Sequence, residues 1–143
     1  MIQLELVTMN GVKLAEAVHE VVLPSADGYI AVFKHHAPLV SLAVPGVISV
    51  RRKANTPDDL MDHYATHGGV IEISDNTVRV LVDEADVAEE INEAEIKKAL
   101  EEAHKLRTAA KDQVSLDHAQ QQIDRSSVRL KVAELKRKRK TRY

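Results

Sequence analysis

The chain contains no cysteine and no tryptophan among its 143 residues. Disulfides and thiolate metal sites are therefore excluded, and the composition is compatible with a reducing compartment. Aromatic residues make up only 3% against 44% hydrophobic residues overall, so the core has to be aliphatic. Few rings remain on which nucleic-acid bases could stack. No stretch approaches the roughly 20 apolar residues that a membrane-spanning helix needs. The opening MIQLELVTMNG lacks a basic region followed by an apolar run, so no signal peptide is expected. No Ser or Cys sits in a nucleophile elbow, and there is no P-loop or dinucleotide fingerprint, so no catalytic site is expected. Neither proline nor glycine occurs from Val70 onward; all four prolines and five glycines precede it.

That last absence divides the chain into a turn-rich half and a breaker-free half. In the first half Ile2, Leu4 and Leu6 alternate with polar residues, as do Val78, Val80 and Val82 farther on. Asn10-Gly11, Pro45-Gly46, Gly68-Gly69 and Asp75-Asn76 mark turns. Val18–Leu23, Tyr29–Phe33, Leu39–Val44 and Val47–Arg51 read as short strands. Tyr64–Thr66 is expected to pair with Val70–Ile73 across the glycine pair. Closely spaced strands of this kind predict an antiparallel sandwich or barrel over about residues 1–86. The stretch Pro24–Gly46 holds two of these strands around the polar bend Lys34–Pro38, an arrangement that presents a loop for docking.

The second half changes period. Asn92 with Glu95 three residues on predicts a helix start. Ile96, Ala99, Leu100, Ala103, Leu106 and Ala110 then form one apolar stripe. A break is expected over Lys111–Ser115, followed by a second helix to near Lys140. That helix carries two stripes, with Leu116, Ala119, Ile123, Leu130 and Ala133 nearly opposite Val128, Val132 and Leu135. Two stripes fit either a helix held between two neighbours or one with two alternative packings.

Charge is distributed unevenly behind a net value of −2. Residues 1–88 carry 6 basic and 12 acidic groups, and residues 125–143 carry 9 and 1. Arg125, Arg129, Lys131, Lys136, Arg137 and Lys138 thus make a basic helical end suited to an acidic protein surface. A stand-alone module binding anions or nucleic acid through this helix is the alternative reading. His35-His36 and His63-x-x-x-His67 invite a metal, but no carboxylate lies at ligand spacing along the chain, so no metal site is expected.

The order of these pieces resembles the epsilon subunit family of F-type ATP synthase, called delta in mitochondria. The residues that carry the resemblance are Pro24-x-x-Asp27-Gly28, His36-Ala37-Pro38-Leu39, Pro45-Gly46-Val47, Gly68-Gly69-Val70-Ile71-Glu72-Ile73, Val80-Leu81-Val82 and Leu130-Lys131-Val132-Ala133-Glu134-Leu135. Each is weak alone, but their order spans essentially the whole chain. The resemblance implies a ten-stranded antiparallel β-sandwich over residues 1–87 and a two-helix antiparallel hairpin over residues 88–143. It implies a non-catalytic rotor subunit of a proton-translocating enzyme, peripheral to the membrane on its cytoplasmic face. The implied partners are the gamma subunit, the c-ring and, through the helices, the catalytic beta and the alpha subunits. No nucleic-acid partner and no cofactor are expected.

Residue by residue, the resemblance makes Tyr29, Lys34, His35 and His36 the c-ring-facing positions. Lys34-His35 stands where Pro-Gly or Pro-Asn is common, which makes the bend more cationic and less rigid. The basic helix residues named above become the inhibitory set. Some members bind ATP through Ile/Leu-Asp-x-x-Arg-Ala, where this chain has Ile91-Asn92-Glu93-Ala94-Glu95-Ile96. With Asn92, Glu95 and Ile96 replacing Asp, Arg and Ala, no nucleotide binding is expected, because Glu repels the phosphates that Arg would pair.

Overall fold

A computed structural model describes residues 1–142, leaving Tyr143 outside the described residues. Ten strands come first: β1 Ile2–Thr8, β2 Gly11–Val18, β3 Glu20–Ser25, β4 Gly28–Val32, β5 Leu39–Ala43, β6 Gly46–Arg51, β7 Asp62–Thr66, β8 Gly69–Ser74, β9 Thr77–Val82 and β10 Ala85–Val87. Helices α1 Glu93–Ala109 and α2 Gln113–Arg142 follow. Single 3-10 turns occupy Asp58–Leu60 and Ala88–Glu90.

Hydrogen bonding runs through the strands in the order β10-β7-β6-β3-β5-β8-β9-β1-β2, with β4 paired to β3. All pairs are antiparallel except β1 with β9. β3 joins the two layers, because its start pairs with β6 while its last residue, Ser25, meets Ala43 of β5. The alternating residues Ile2, Leu4, Leu6 and Val78, Val80, Val82 point into one aliphatic core with Val21, Leu23, Ile48, Val50, Ile71 and Ile73. Burial of this many branched side chains is the main source of the sandwich's stability.

Three expectations are corrected. Tyr64–Thr66 does not pair with Val70–Ile73: β7 pairs with β6 and β10, and β8 with β5 and β9. Gly68 and Gly69, at φ 127° and 154°, carry the chain from one layer to the other instead of closing a hairpin. Val18–Leu23 is not one strand, because β2 ends at Val18 and β3 starts at Glu20. Finally, α1 buries only part of its stripe: Ala103 is buried, while Ala99 and Leu106 are exposed. α1 packs on α2 and has no comparable contact with the sandwich, so one neighbour has to cover it.

The helix signals act as expected. The Asn92 side chain accepts the Glu95 N–H at 3.2 Å, and Asp112 accepts the Ser115 N–H at 2.7 Å where α2 begins. The hydrogen bond from the Ser115 amide holds the Asp112 carboxyl below its usual range.

Candidate functional site

The first candidate surface is the loop stretch around β4. Tyr29 is the second residue of that strand and is about half exposed, yet its hydroxyl accepts the Val47 N–H at 3.1 Å. Lys34, His35 and His36 lie past the other end of the same strand. Five residues at about 3.3 Å each separate the two by roughly 16 Å, so Tyr29 and the bend are not one cluster. The bend is pinned, contrary to the looser loop expected. His35 sits at φ 67° and donates its N–H to Asn76 Oδ1 at 2.6 Å. The His36 N–H donates to the Phe33 carbonyl at 3.2 Å. The Asp75-Asn76 turn, with φ of 48° and 58°, thereby buttresses Lys34–His36 at that end of the sandwich.

The second candidate surface is the seat of α2. Alternation on β7 sends Tyr64 into the core, while Ala65 faces the opposite way against Val132 of α2 and Val47 of β6. Ala88, Ile91, Val128 and Leu135 close around that contact. In this conformation the two stripes of α2 serve two neighbours: Val128, Val132 and Leu135 meet the sandwich, and the stripe containing Ala119 and Ile123 is left for α1.

Ion pairs flank the apolar seat. Arg129 donates from Nε to Asp86 Oδ2 at 2.7 Å and from Nη2 to Glu84 Oε2 at 2.9 Å. Arg125 lies 3.9 Å from Glu84. Lys136 pairs with Glu89, and Arg137 Nη1 with Glu93 Oε1 at 2.9 Å. Four of the six basic positions singled out in the sequence are thus engaged by acids at residues 84–93. Lys131 and Lys138 are exposed and make no ion pair among the described residues.

His63 and His67, on the same side of β7 as Ala65, lie under this helix. His63 Nδ1 is 2.9 Å from Ser49 Oγ, and burial, then Arg139, lowers its proton affinity. The His67 side chain is 4% exposed and neither ring nitrogen has a hydrogen bond. Burial, followed by Arg129 and Arg125, lowers its proton affinity, and Glu84 and Asp86 oppose this more weakly. The carboxylates absent at ligand spacing along the chain arrive by pairing: β10 lies on β7, with Ala85 opposite Thr66 and Asp86 opposite Ala65. Donor atoms of His67, Glu84 and Asp86 fall within 4.8 Å of one another. The cation these carboxylates hold is the guanidinium of Arg129.

A third surface was not read from the sequence. Val40 and Leu42 of β5, Val70 of β8 and Leu81 of β9 are exposed on the outer face of their layer. Leu42 lies opposite Val70, and Val70 opposite Leu81, so three apolar side chains form a row across three strands. On β8 and β9 the alternation of Ile71, Ile73 and Val78, Val80, Val82 leaves Val70 and Leu81 on the solvent face, where an apolar residue in place of a polar one is the signal; β5, LVSLA, carries no such signal.

Known proteins share these features. Residues 1–88 match the family described as ATP synthase, Delta/Epsilon chain, beta-sandwich domain. The chain is 34% identical over 139 residues to the ATP synthase epsilon chain of Herpetosiphon aurantiacus, covering 96% of this chain and 98% of that one. It is also 34% identical over 103 residues to the ATP synthase epsilon chain of Brucella anthropi, covering 72% and 73%. In fold it is similar to a chain in the OSCP/F1/c-ring structure of Euglena gracilis mitochondrial ATP synthase, with TM-score 0.80, 24% identity, and 93% and 81% of the two chains covered.

Proposed function

The chain belongs to the delta/epsilon family of ATP synthase, and on that premise we propose that it couples gamma to the c-ring and restrains ATP hydrolysis through its helices. A member of this family is a subunit of the central stalk and contributes no catalytic site of its own. In the proposed division of labour, residues 1–87 dock on the rotor at the cytoplasmic membrane face and residues 88–143 regulate. The bend Lys34–His36 meets the c-ring, with Tyr29 as a separate, more distant contact. The apolar row Leu42–Val70–Leu81 receives gamma.

The observation that carries the regulatory part is the pairing of Arg125, Arg129, Lys136 and Arg137 with Glu84, Asp86, Glu89 and Glu93. These basic groups already recognise acids at one site, and an acidic segment of a catalytic beta subunit offers the same chemistry at another. The seat they hold is small and partly exposed, which keeps the two states within reach of each other. In the extended state the freed helix enters the catalytic head, and Lys131 and Lys138 join the contact. The Asn92–Ile96 segment, used here as a helix start, binds no nucleotide.

The test is a chain ended after Asp124 and reconstituted into the enzyme. We expect assembly to persist and ATPase activity to rise. An ATPase rate equal to that of the full chain would remove the inhibitory role.

A further inference from the structure

The pocket beneath α2 holds a group that the docking contacts leave unused. His67 is almost fully buried with both ring nitrogens unpaired, and a buried polar group without a partner is costly and uncommon. Its Nε2 lies 3.6 Å from Glu84 Oε2 and 3.9 Å from Asp86 Oδ2. Those are the same two oxygens that Arg129 occupies at 2.9 and 2.7 Å. One anionic site therefore faces two candidate cations, of which only the arginine is charged when the imidazole is neutral.

We propose that His67 is a proton-operated release for α2: a protonated imidazole competes with Arg129 and Arg125 for Glu84 and Asp86, and so favours the undocked helix. Every element around the ring contributes to this balance. β10 with its leading turn supplies Asp83, Glu84 and Asp86, and α2 supplies Asp124, Arg125 and Arg129. Docking buries the ring and brings both arginines to it, and each of these disfavours the imidazolium. Undocking removes all three while the two carboxylates stay on the sandwich. The proton consequently binds more tightly when the helix is away.

The sign follows by linkage. A group whose proton affinity is lower in the docked state favours docking above its undocked pKa, and docking weakens as pH falls through that value. Each unit separating the two pKa values weakens docking by about tenfold once both are passed. Carboxylates as a class titrate well below the histidine range, so the change belongs to the imidazoles. His63, also disfavoured as a cation under α2, contributes in the same direction and has to be separated. Within the enzyme, acidification then populates the extended inhibitory state. That consequence rests on the proposed regulatory function, whereas the release itself is a property of the isolated chain.

The chain lacks cysteine, so Gln3→Cys with Lys131→Cys gives a unique pair for pH-insensitive fluorophores on two exposed positions. We expect energy transfer in the isolated full-length chain to change as pH is lowered from about 8 to about 5.5, the range over which histidine titrates. In His67→Gln most of that change should vanish, and in His63→Gln most should remain. Transfer that is flat with pH, or a His67→Gln chain that titrates like the parent, would overturn the proposal. An independent readout avoids altering His67: its imidazole titration by NMR should move to higher pH in Arg125→Gln/Arg129→Gln. An unmoved titration there would equally overturn it. Because neither measurement involves ATPase activity, failure here is distinct from failure of the inhibitory role.

Discussion

Arg129 and Asp86 lie 43 residues apart in the chain and meet through a 2.7 Å charge-assisted hydrogen bond. The contact ties the middle of α2 to the last strand of the sandwich. Both side chains are about three-quarters buried, so truncating Arg129 leaves Asp86 without its arginine and Glu84 with only the more distant Arg125. We expect Arg129→Ala to weaken docking by about 1–3 kcal/mol, the usual worth of charged hydrogen bonds in partly buried settings. Amide exchange along α2 should quicken by the corresponding factor, with β1 and β9 unchanged. Equal protection of α2 in parent and variant would count against the clamp.

Val132 tests the apolar half of the same seat. It is fully buried against Val47 and Ala65. Val132→Ala removes two methyl groups from that contact and should cost about 1.5–2.5 kcal/mol of docking. Because Val132 is outside the main sandwich core, melting of the sandwich should be nearly unchanged while amide exchange along α2 accelerates.

What could be read in advance depended on how local the cause was. β1 and β9 were legible because Ile2, Leu4, Leu6 and Val78, Val80, Val82 alternate within a single strand. The start of α1 was legible because Asn92 caps a backbone amide three residues away. β2 was not legible because in GVKLAEAV, at the end of the sheet order, Glu16 interrupts the register of Val12, Leu14 and Val18, Ala15 and Ala17 blur the other face, and only Val18 is buried. The clamp was hidden for another reason. Arg129 was visible as a basic helix residue, but its partners come from β10, a three-residue strand whose place beside β7 depends on pairing rather than spacing. The same holds for His67, whose neighbouring carboxylates Glu84 and Asp86 arrive with β10 rather than at any spacing along the chain.

Gly69 tests the crossover between layers. Its φ is 154°, and a Cβ placed there would lie 1.9 Å from the Leu81 carbonyl oxygen. That oxygen belongs to a paired strand and cannot move aside cheaply. Gly69→Ala should therefore cost about 3 kcal/mol or more, read as a lower denaturant midpoint. Gly11→Ala is the comparison. At φ 116° it has nothing within 4 Å of the added carbon, so only backbone strain of about 1–2 kcal/mol applies.

Asp112 gives a pH dependence of the same sign as His67, but in the carboxylate range rather than the histidine range. Its carboxylate accepts the Ser115 N–H, which holds its pKa below the unfolded value. The stabilisation is present above the unfolded pKa and is lost as pH falls through the folded one. We expect the first turn of α2 to lose amide protection in that acid range in the parent. Asp112→Asn, which keeps the acceptor without the charge, should remove the pH dependence while retaining most of the protection.

Under the proposed function, the apolar row on the other layer keeps rotor docking apart from helix regulation. α2 sits on β6 and β7, whereas Leu42, Val70 and Leu81 lie on β5, β8 and β9. A partner on the row can stay bound whether the helices are folded down or extended, as a permanent rotor contact requires. Exposed contiguous apolar surface of this kind marks an interaction site more often than chance. The positions are solvent-facing, with Leu42 at 63% and Leu81 at 44% exposure, so Leu42→Lys/Leu81→Lys should change stability by only about 0.5 kcal/mol per site. Binding to gamma, followed by co-elution of the purified subunits, should fall at least tenfold because two lysines would be buried without partners. Retained co-elution by a folded double variant would move the gamma contact off this face. Lys34→Glu/His35→Glu, at the far bend, should leave gamma binding intact and weaken only the association of the gamma complex with the c-ring.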